Sequence, residues 1–115
     1  MNRFICYSKC STCKKAKQFL LDHNIEFESI EIKDNPPTIE ELKQYISLSG
    51  KEIKIFFNTS GLVYKELGLK EKLPAMSEEE KLKLLSSNGM LIKRPLFVAD
   101  DKVLVGFKEE EYLKL

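Results

Sequence analysis

The stretch FICYSKCSTCKKAK, residues 4–17, restricts this chain more than any other, because an apolar run gives way to a cysteine pair and then to a helical pattern. NRFICY (2–7) is short, apolar and bounded by the polar SKCS, which predicts a buried strand. From Ser11 onward Ala16, Phe19, Leu20 and His23 recur at i, i+3, i+4 and i+7, the stripe of an amphipathic helix, with Lys14, Lys15, Lys17, Gln18 and Asp22 turned mostly outward. Ser11 or Thr12 can cap that helix, and Asn24 can take the left-handed conformation past its end. A strand that hands over directly to a helix surrounds its turn with free backbone N–H groups. Here the turn holds Cys10-x-x-Cys13.

The chain has three cysteines, Cys6, Cys10 and Cys13. Their reading depends on compartment. Nineteen basic against eighteen acidic residues leave a net charge of +1, which gives no long-range attraction to nucleic acid or anionic lipid. No run approaches the ~20 apolar residues of a membrane span. The apolar run at the N-terminus is far too short for a signal peptide, so the expected location is the cytoplasm. Cytosolic thiols are kept reduced, and a close pair there is more often catalytic or metal-binding than a structural disulfide.

Free N–H groups and the positive end of the helix dipole favour thiolate over thiol at Cys10. Cys13, in the first turn, is close enough to form a disulfide with Cys10 without unfolding the helix. A dithiol oxidoreductase needs this division of labour, with one reachable activated sulfur and a second that resolves a mixed disulfide. Zinc is the rival, since Cys-x-x-Cys often supplies half of a four-ligand site. His23, however, lies roughly 15 Å along the helix from Cys13 at the standard rise. Cys6 falls inside a buried strand, where a small apolar side chain fits. No metal is expected.

The rest of the chain alternates signals. EFESIEI (26–32) predicts a second strand, and DNPPTIEELKQYISLSG (34–50) a helix with a Thr38–Glu41 capping box, a buried stripe of Ile39, Leu42 and Ile46, and Gly50 at its end. KEIKIFFNTSG (51–61) fits either a short strand or a buried helical turn. VYKELGLKEKL (63–73) contains a short helix, ended by Gly68 or Pro74, and Ser77–Glu80 is a second capping box for a helix over 78–87, stopped by Asn88-Gly89. MLIKRPLFVADDKVLVGF (90–107) predicts two strands joined at Asp100-Asp101, and KEEEYLKL (108–115) a last helix with acids early and Lys114 late. Arg94-Pro95 sits where a proline opens a strand or, in the minority of X-Pro bonds, forms a cis peptide.

Three segments together, YSKCSTCKKAKQFL (7–20), FFNTSGLVYKELGL (56–69) and KRPLFVADDKVLVGF (93–107), resemble the arsenate-reductase-like (ArsC/Spx) family of thioredoxin-fold proteins. The resemblance implies one α/β domain over 1–115, a thioredoxin-like fold with a central mixed sheet flanked by helices. Its core would come from about 1–35 and 89–115, with a helical insertion at about 38–87. It also implies that Cys10 is the nucleophile, Cys13 the resolving thiol, and Pro95 a cis-proline facing the cysteine loop. Arg94 would stabilise a thiolate or a bound oxyanion, for which its planar donor fork suits better than a lysine. Ser11, Thr12 and Asn58 are candidate substrate-binding residues.

Departures from the family pattern are informative. Arsenate reductases proper carry two further arginines, at positions held here by Asn58 and Phe107. Each lost charge-assisted bond to an oxyanion is worth ~1.5–3 kcal/mol. The leading expectation is therefore a small cytosolic thiol-disulfide oxidoreductase using the Cys10/Cys13 pair. It would act as a monomer on a disulfide-containing protein or small thiol substrate. No bound cofactor is expected; thioredoxin or glutathione with glutaredoxin would be the external reductant. One alternative is an Spx-type redox-sensing regulator that binds the RNA polymerase α subunit rather than DNA. The other is a glutathione- and glutaredoxin-linked arsenate reductase.

Overall fold

The computed structural model describes residues 2–115. Its centre is a four-stranded sheet of β1 (Arg3–Cys6), β2 (Glu28–Glu31), β3 (Leu96–Val98) and β4 (Val103–Val105), in the order β2-β1-β3-β4. β1 pairs parallel with β2, joined across α1 (Ser11–Asp22), and antiparallel with β3, which pairs antiparallel with β4. The β3–β4 hairpin closes through Ala99 N–H donating to the Lys102 carbonyl at 2.9 Å, with Asp100-Asp101 at its tip, as the sequence predicts. Between α1 and β3 lie α2 (Ile39–Ser49), α3 (Leu62–Glu66), α4 (Leu69–Lys72) and α5 (Glu78–Ser87), and α6 (Glu109–Tyr112) follows β4.

Strand alternation divides the core in two. Phe4, Cys6 and Phe97 point to one face, where they meet Cys13, Ala16, Phe19 and Leu20 of α1 and Tyr112 of α6. Ile5, Leu96, Val103 and Val105 point to the other, against Leu42 and Tyr45 of α2 and Leu82 and Leu85 of α5. A central strand with both faces covered must be apolar throughout, which is why RFIC reads as a run rather than an alternation. Each large side chain removed from water here contributes about 1.5–3 kcal/mol. This two-faced mixed sheet, with helices on both sides, is the thioredoxin-like α/β fold.

Both predicted capping boxes are present. Thr38 Oγ1 accepts Glu41 N–H at 3.1 Å while the Glu41 carboxylate accepts Thr38 N–H at 3.0 Å, and Ser77 with Glu80 repeats the pattern at 3.1 and 3.0 Å. Thr38→Ala is expected to destabilise the protein by about 1 kcal/mol, read as a lowered urea midpoint at unchanged m. Gly50 and Gly68 end helical segments with φ of 68° and 64°, and Asn24 follows α1 at φ 56°.

Several boundaries differ from expectation. β2 is shorter than 26–32 because it is an edge strand whose first two residues are exposed. In α2, Tyr45 is buried, whereas Ile39 and Ile46 are half-buried. The ambiguous 51–61 segment is a 3-10 turn (Ile53–Phe56) followed by a single bridge from Phe57 to Ile92, so it combines both readings. The 63–73 region is two short helices broken at Gly68. Asn88 does stop α5, in extended backbone, and its side chain accepts Met90 N–H at 2.9 Å to start another 3-10 turn. The last helix covers only Glu109–Tyr112 of the predicted 108–115.

Candidate active site

The site forms where β1 hands over to α1. Residues 7–10 turn, closed by Cys10 N–H donating to the Tyr7 carbonyl at 3.0 Å, and Ser8 N–H donates to the Glu31 carboxylate at 3.1 Å. Cys10 is the N-cap of α1, with φ −94° and ψ 122°, and its carbonyl accepts Lys14 N–H at 3.1 Å. The expected capping by Ser11 or Thr12 is thereby corrected. Both lie inside the first turn and are exposed. The place where an oxygen usually accepts the second or third N–H of a helix is held by sulfur.

That substitution favours ionisation. A neutral thiol is a weak acceptor, and no side-chain cap bond is made to it. A thiolate is a strong one. Partial burial pushes the Cys10 thiol up, but Cys13 N–H, the Cys13 thiol, the Arg94 charge and Thr12 N–H together hold it below the ordinary thiol range. Cys13 is 2% exposed, and burial pushes its thiol up to about 12, against the donation of Tyr7 N–H 3.4 Å from its sulfur. Ionised Cys10 raises it further. All three cysteines are free thiols. Two sulfurs three positions apart are thus driven in opposite directions.

A cavity of about 440 Å³ opens beside Cys10. It brings together Cys10, Thr12, Asn58 and Arg94 of the predicted residues, from three separated parts of the chain. Ser11, also predicted, is exposed and does not line it. Arg94 is half-buried, its guanidinium carbon 5.2 Å from the Tyr7 ring centre and Nη1 3.8 Å from Met90 Sδ. The Arg94-Pro95 peptide is cis, and the Pro95 carbonyl accepts Gly106 N–H at 2.8 Å, which joins the Arg94 loop to the Gly106–Lys108 wall of the cavity.

Ser60, from the NTSG stretch (58–61) that could line a pocket or be only a turn, lines the cavity, as do Lys93 and Lys108, which sequence reasoning missed. Lys93 lies across Gly106, where a Cβ would come within 3.2 Å of its Cε. Among the described residues, Lys93, Arg94 and Lys108 have no carboxylate within ion-pair distance. Nothing in the spacing of these lysines separates them from the chain's other surface cations. His23 is exposed, contrary to its place in the predicted apolar stripe. It stacks on Phe19 at 3.9 Å, and its Nδ1 lies 2.9 Å from the Phe19 carbonyl at the end of α1. Among the described residues, no group of three or more His, Cys, Asp or Glu side chains is arranged to hold a metal, and no helix is long and apolar enough to cross a membrane.

The family model described as ArsC family matches residues 6–115. The chain belongs to the ArsC family. The uncharacterized protein YusI of Bacillus subtilis is 55% identical over 95% of this chain and 92% of its own length. The regulatory protein MgsR of the same organism is 35% identical, over 97% and 87% respectively. The global transcriptional regulator Spx of Enterococcus faecalis is 30% identical, over 89% and 76%. Among solved structures, an ArsC family related protein from Bacteroides fragilis superposes with a TM-score of 0.96 at 57% identity, covering 98% of this chain and 95% of that one. Within this ArsC chain, Asn58 lines the cavity through a loop held by its N–H to the Leu91 carbonyl at 2.8 Å, and Phe107 lines it from the end of the hairpin.

Proposed function

We propose that this ArsC-family protein is a cytosolic thiol-disulfide oxidoreductase, with Cys10 as nucleophile and Cys13 as resolving thiol. The observation that carries the reading is the opposed placement of the two sulfurs, Cys10 at the helix N-cap beside an open cavity and Cys13 buried in the first turn, which favours the thiolate of the first and the thiol of the second. The Cys10 thiolate attacks a substrate disulfide, forming a Cys10–substrate bond and releasing one substrate thiolate. Cys13 then displaces the second, leaving a Cys10–Cys13 disulfide and two reduced substrate thiols. A cellular dithiol such as thioredoxin, or glutathione with glutaredoxin, restores the pair. Arg94 stabilises the thiolate and Pro95 shapes the wall facing it, while Thr12 and Asn58 contact the substrate.

Alkylation by iodoacetamide as a function of pH tests the tuning. Because Cys10 loses its proton below the ordinary thiol range, its rate should climb and level off with a midpoint below the free-thiol ~8.5. Arg94→Met, which removes a charge favouring the thiolate, should move that midpoint upward. A wild-type midpoint at or above 8.5 sinks the reading. The companion assay is reduction of a protein disulfide coupled to thioredoxin. Arsenate-dependent turnover with glutathione and glutaredoxin would replace protein disulfides as the substrate.

A second reading is favoured by the names of two relatives, the regulatory protein MgsR and the regulator Spx. In that reading the same dithiol is a switch, and oxidation changes a surface recognised by the RNA polymerase α subunit. Retention of the α subunit by oxidised protein, lost on reduction, would establish it.

A further inference from the structure

Tyr112 is 1% exposed, and its hydroxyl has no hydrogen-bond partner. Its ring sits among Phe19, Phe97 and Phe107 at centroid separations of 5.9, 5.9 and 4.9 Å. Phenylalanine would fill that space equally well, and a buried hydroxyl without a partner is both costly and uncommon. The oxygen calls for a partner in some other state of the protein. The residues of the apolar cluster around Tyr112 that carry an acceptor are Cys6, Cys13 and the partly buried Cys10, and Glu111 Oε1, next in the chain, is likewise buried without a partner and accepts nothing from the hydroxyl. Cys6 already has Ser29 Oγ at 3.7 Å. Of the buried sulfurs that leaves Cys13, whose charge is felt at the Tyr112 hydroxyl.

We infer that Tyr112 is a positioning residue for the resolving step, its hydroxyl donating a hydrogen bond to the Cys13 sulfur as that sulfur ionises. The inference rests on the oxidoreductase reading above. In the dithiol form the neighbouring Cys13 thiol helps to hold Cys10 as its thiolate. Once Cys10 is joined to substrate that thiolate is gone, and Cys13 must shed its proton in apolar surroundings. Tyr7 N–H supplies one donor, and the Tyr112 hydroxyl a second. Cys13 Sγ then bonds to Cys10 Sγ, and the bond from Cys10 to the substrate sulfur breaks. The electron pair leaves on that sulfur, which takes the proton Cys13 gave up. Tyr112 keeps its own proton throughout. The other titratable groups close to this pair are Cys6 and Cys10 beside Cys13 and Glu111 beside Tyr112.

The test uses 5,5′-dithiobis(2-nitrobenzoate) with the reduced full chain. Attack by Cys10 releases one thionitrobenzoate, and resolution by Cys13 releases a second. In Tyr112→Phe the first phase should be unchanged and the second about tenfold slower, the loss of one hydrogen bond to an ionised group, with its pH midpoint moved upward. Tyr112→Met, lacking both ring and hydroxyl, should slow the second phase at least as much. A second phase unchanged in Tyr112→Phe, or both phases slowed alike, overturns the assignment. If the wild type releases a single equivalent, as Cys13→Ser must, the two-thiol reading itself falls and the role of Tyr112 with it.

Discussion

Cys10→Ser is expected to lower disulfide reduction by at least about a thousandfold, and Cys13→Ser to stop after half a turnover as a covalent adduct. The two outcomes differ because the proposed reaction gives the sulfurs different jobs. A serine at position 10 keeps the cap geometry, but its hydroxyl does not ionise near neutrality and forms no disulfide. With Cys13 replaced, the Cys10 sulfur can still attack, since the backbone N–H groups of positions 12 and 13 and the Arg94 charge remain to hold its thiolate. What is lost is the second displacement. Intact-protein mass spectrometry should find the variant heavier by one substrate half, and excess external dithiol should remove it. Full turnover by Cys13→Ser without an adduct would mean that an outside thiol normally resolves the intermediate.

The second large effect concerns stability. Gly89→Ala is expected to destabilise the protein by about 3 kcal/mol, lowering the unfolding temperature by roughly 10–15 °C. A Cβ at Gly89 would come 2.1 Å from the Ile32 carbonyl oxygen and 2.8 Å from its carbon. Neither is the end of a flexible side chain. Ile32 is fully buried, and its N–H donates to the Cys6 carbonyl at 2.8 Å, so relief would have to move the backbone beside β1 and the cysteine turn. Thermal unfolding should therefore show a large loss, and iodoacetamide reactivity of Cys10 should change in the surviving folded protein. A fall of only a few degrees would show that the 3-10 turn yields instead.

Much of the local structure was legible because local rules fix it. Thr38 and Glu41, or Ser77 and Glu80, satisfy one another within a single turn of helix, and Asp100-Asp101 is flanked by two apolar runs. Asn24 stands where only a few residue types tolerate the required backbone. Spacing and the strand-to-helix order singled out the cysteine pair, and the family pattern singled out Arg94. Legibility fails where the deciding partner is distant or the helix start is ambiguous by one residue. Ser11 and Thr12 look like better caps than Cys10, and the preference was overridden by the turn that Tyr7 closes with Cys10 N–H. Lys93 and Lys108 carry no mark of their own until the hairpin folds Gly106 against them. Tyr112, in a short acidic helix, gives no sign in its own neighbourhood that its oxygen is sealed into the cluster holding Cys13.

The pairing of β1 with both a near strand and one some ninety residues later has a consequence for biosynthesis. At ordinary elongation rates the cysteine turn leaves the ribosome on the order of ten seconds before the strand that follows Arg94. During that interval the nascent dithiol has neither its cationic neighbour nor the aromatic lid that buries its second member. The donors at positions 12 and 13 emerge with the turn itself, whereas the charge of Arg94 reaches Cys10 only after the last third of the chain has been made.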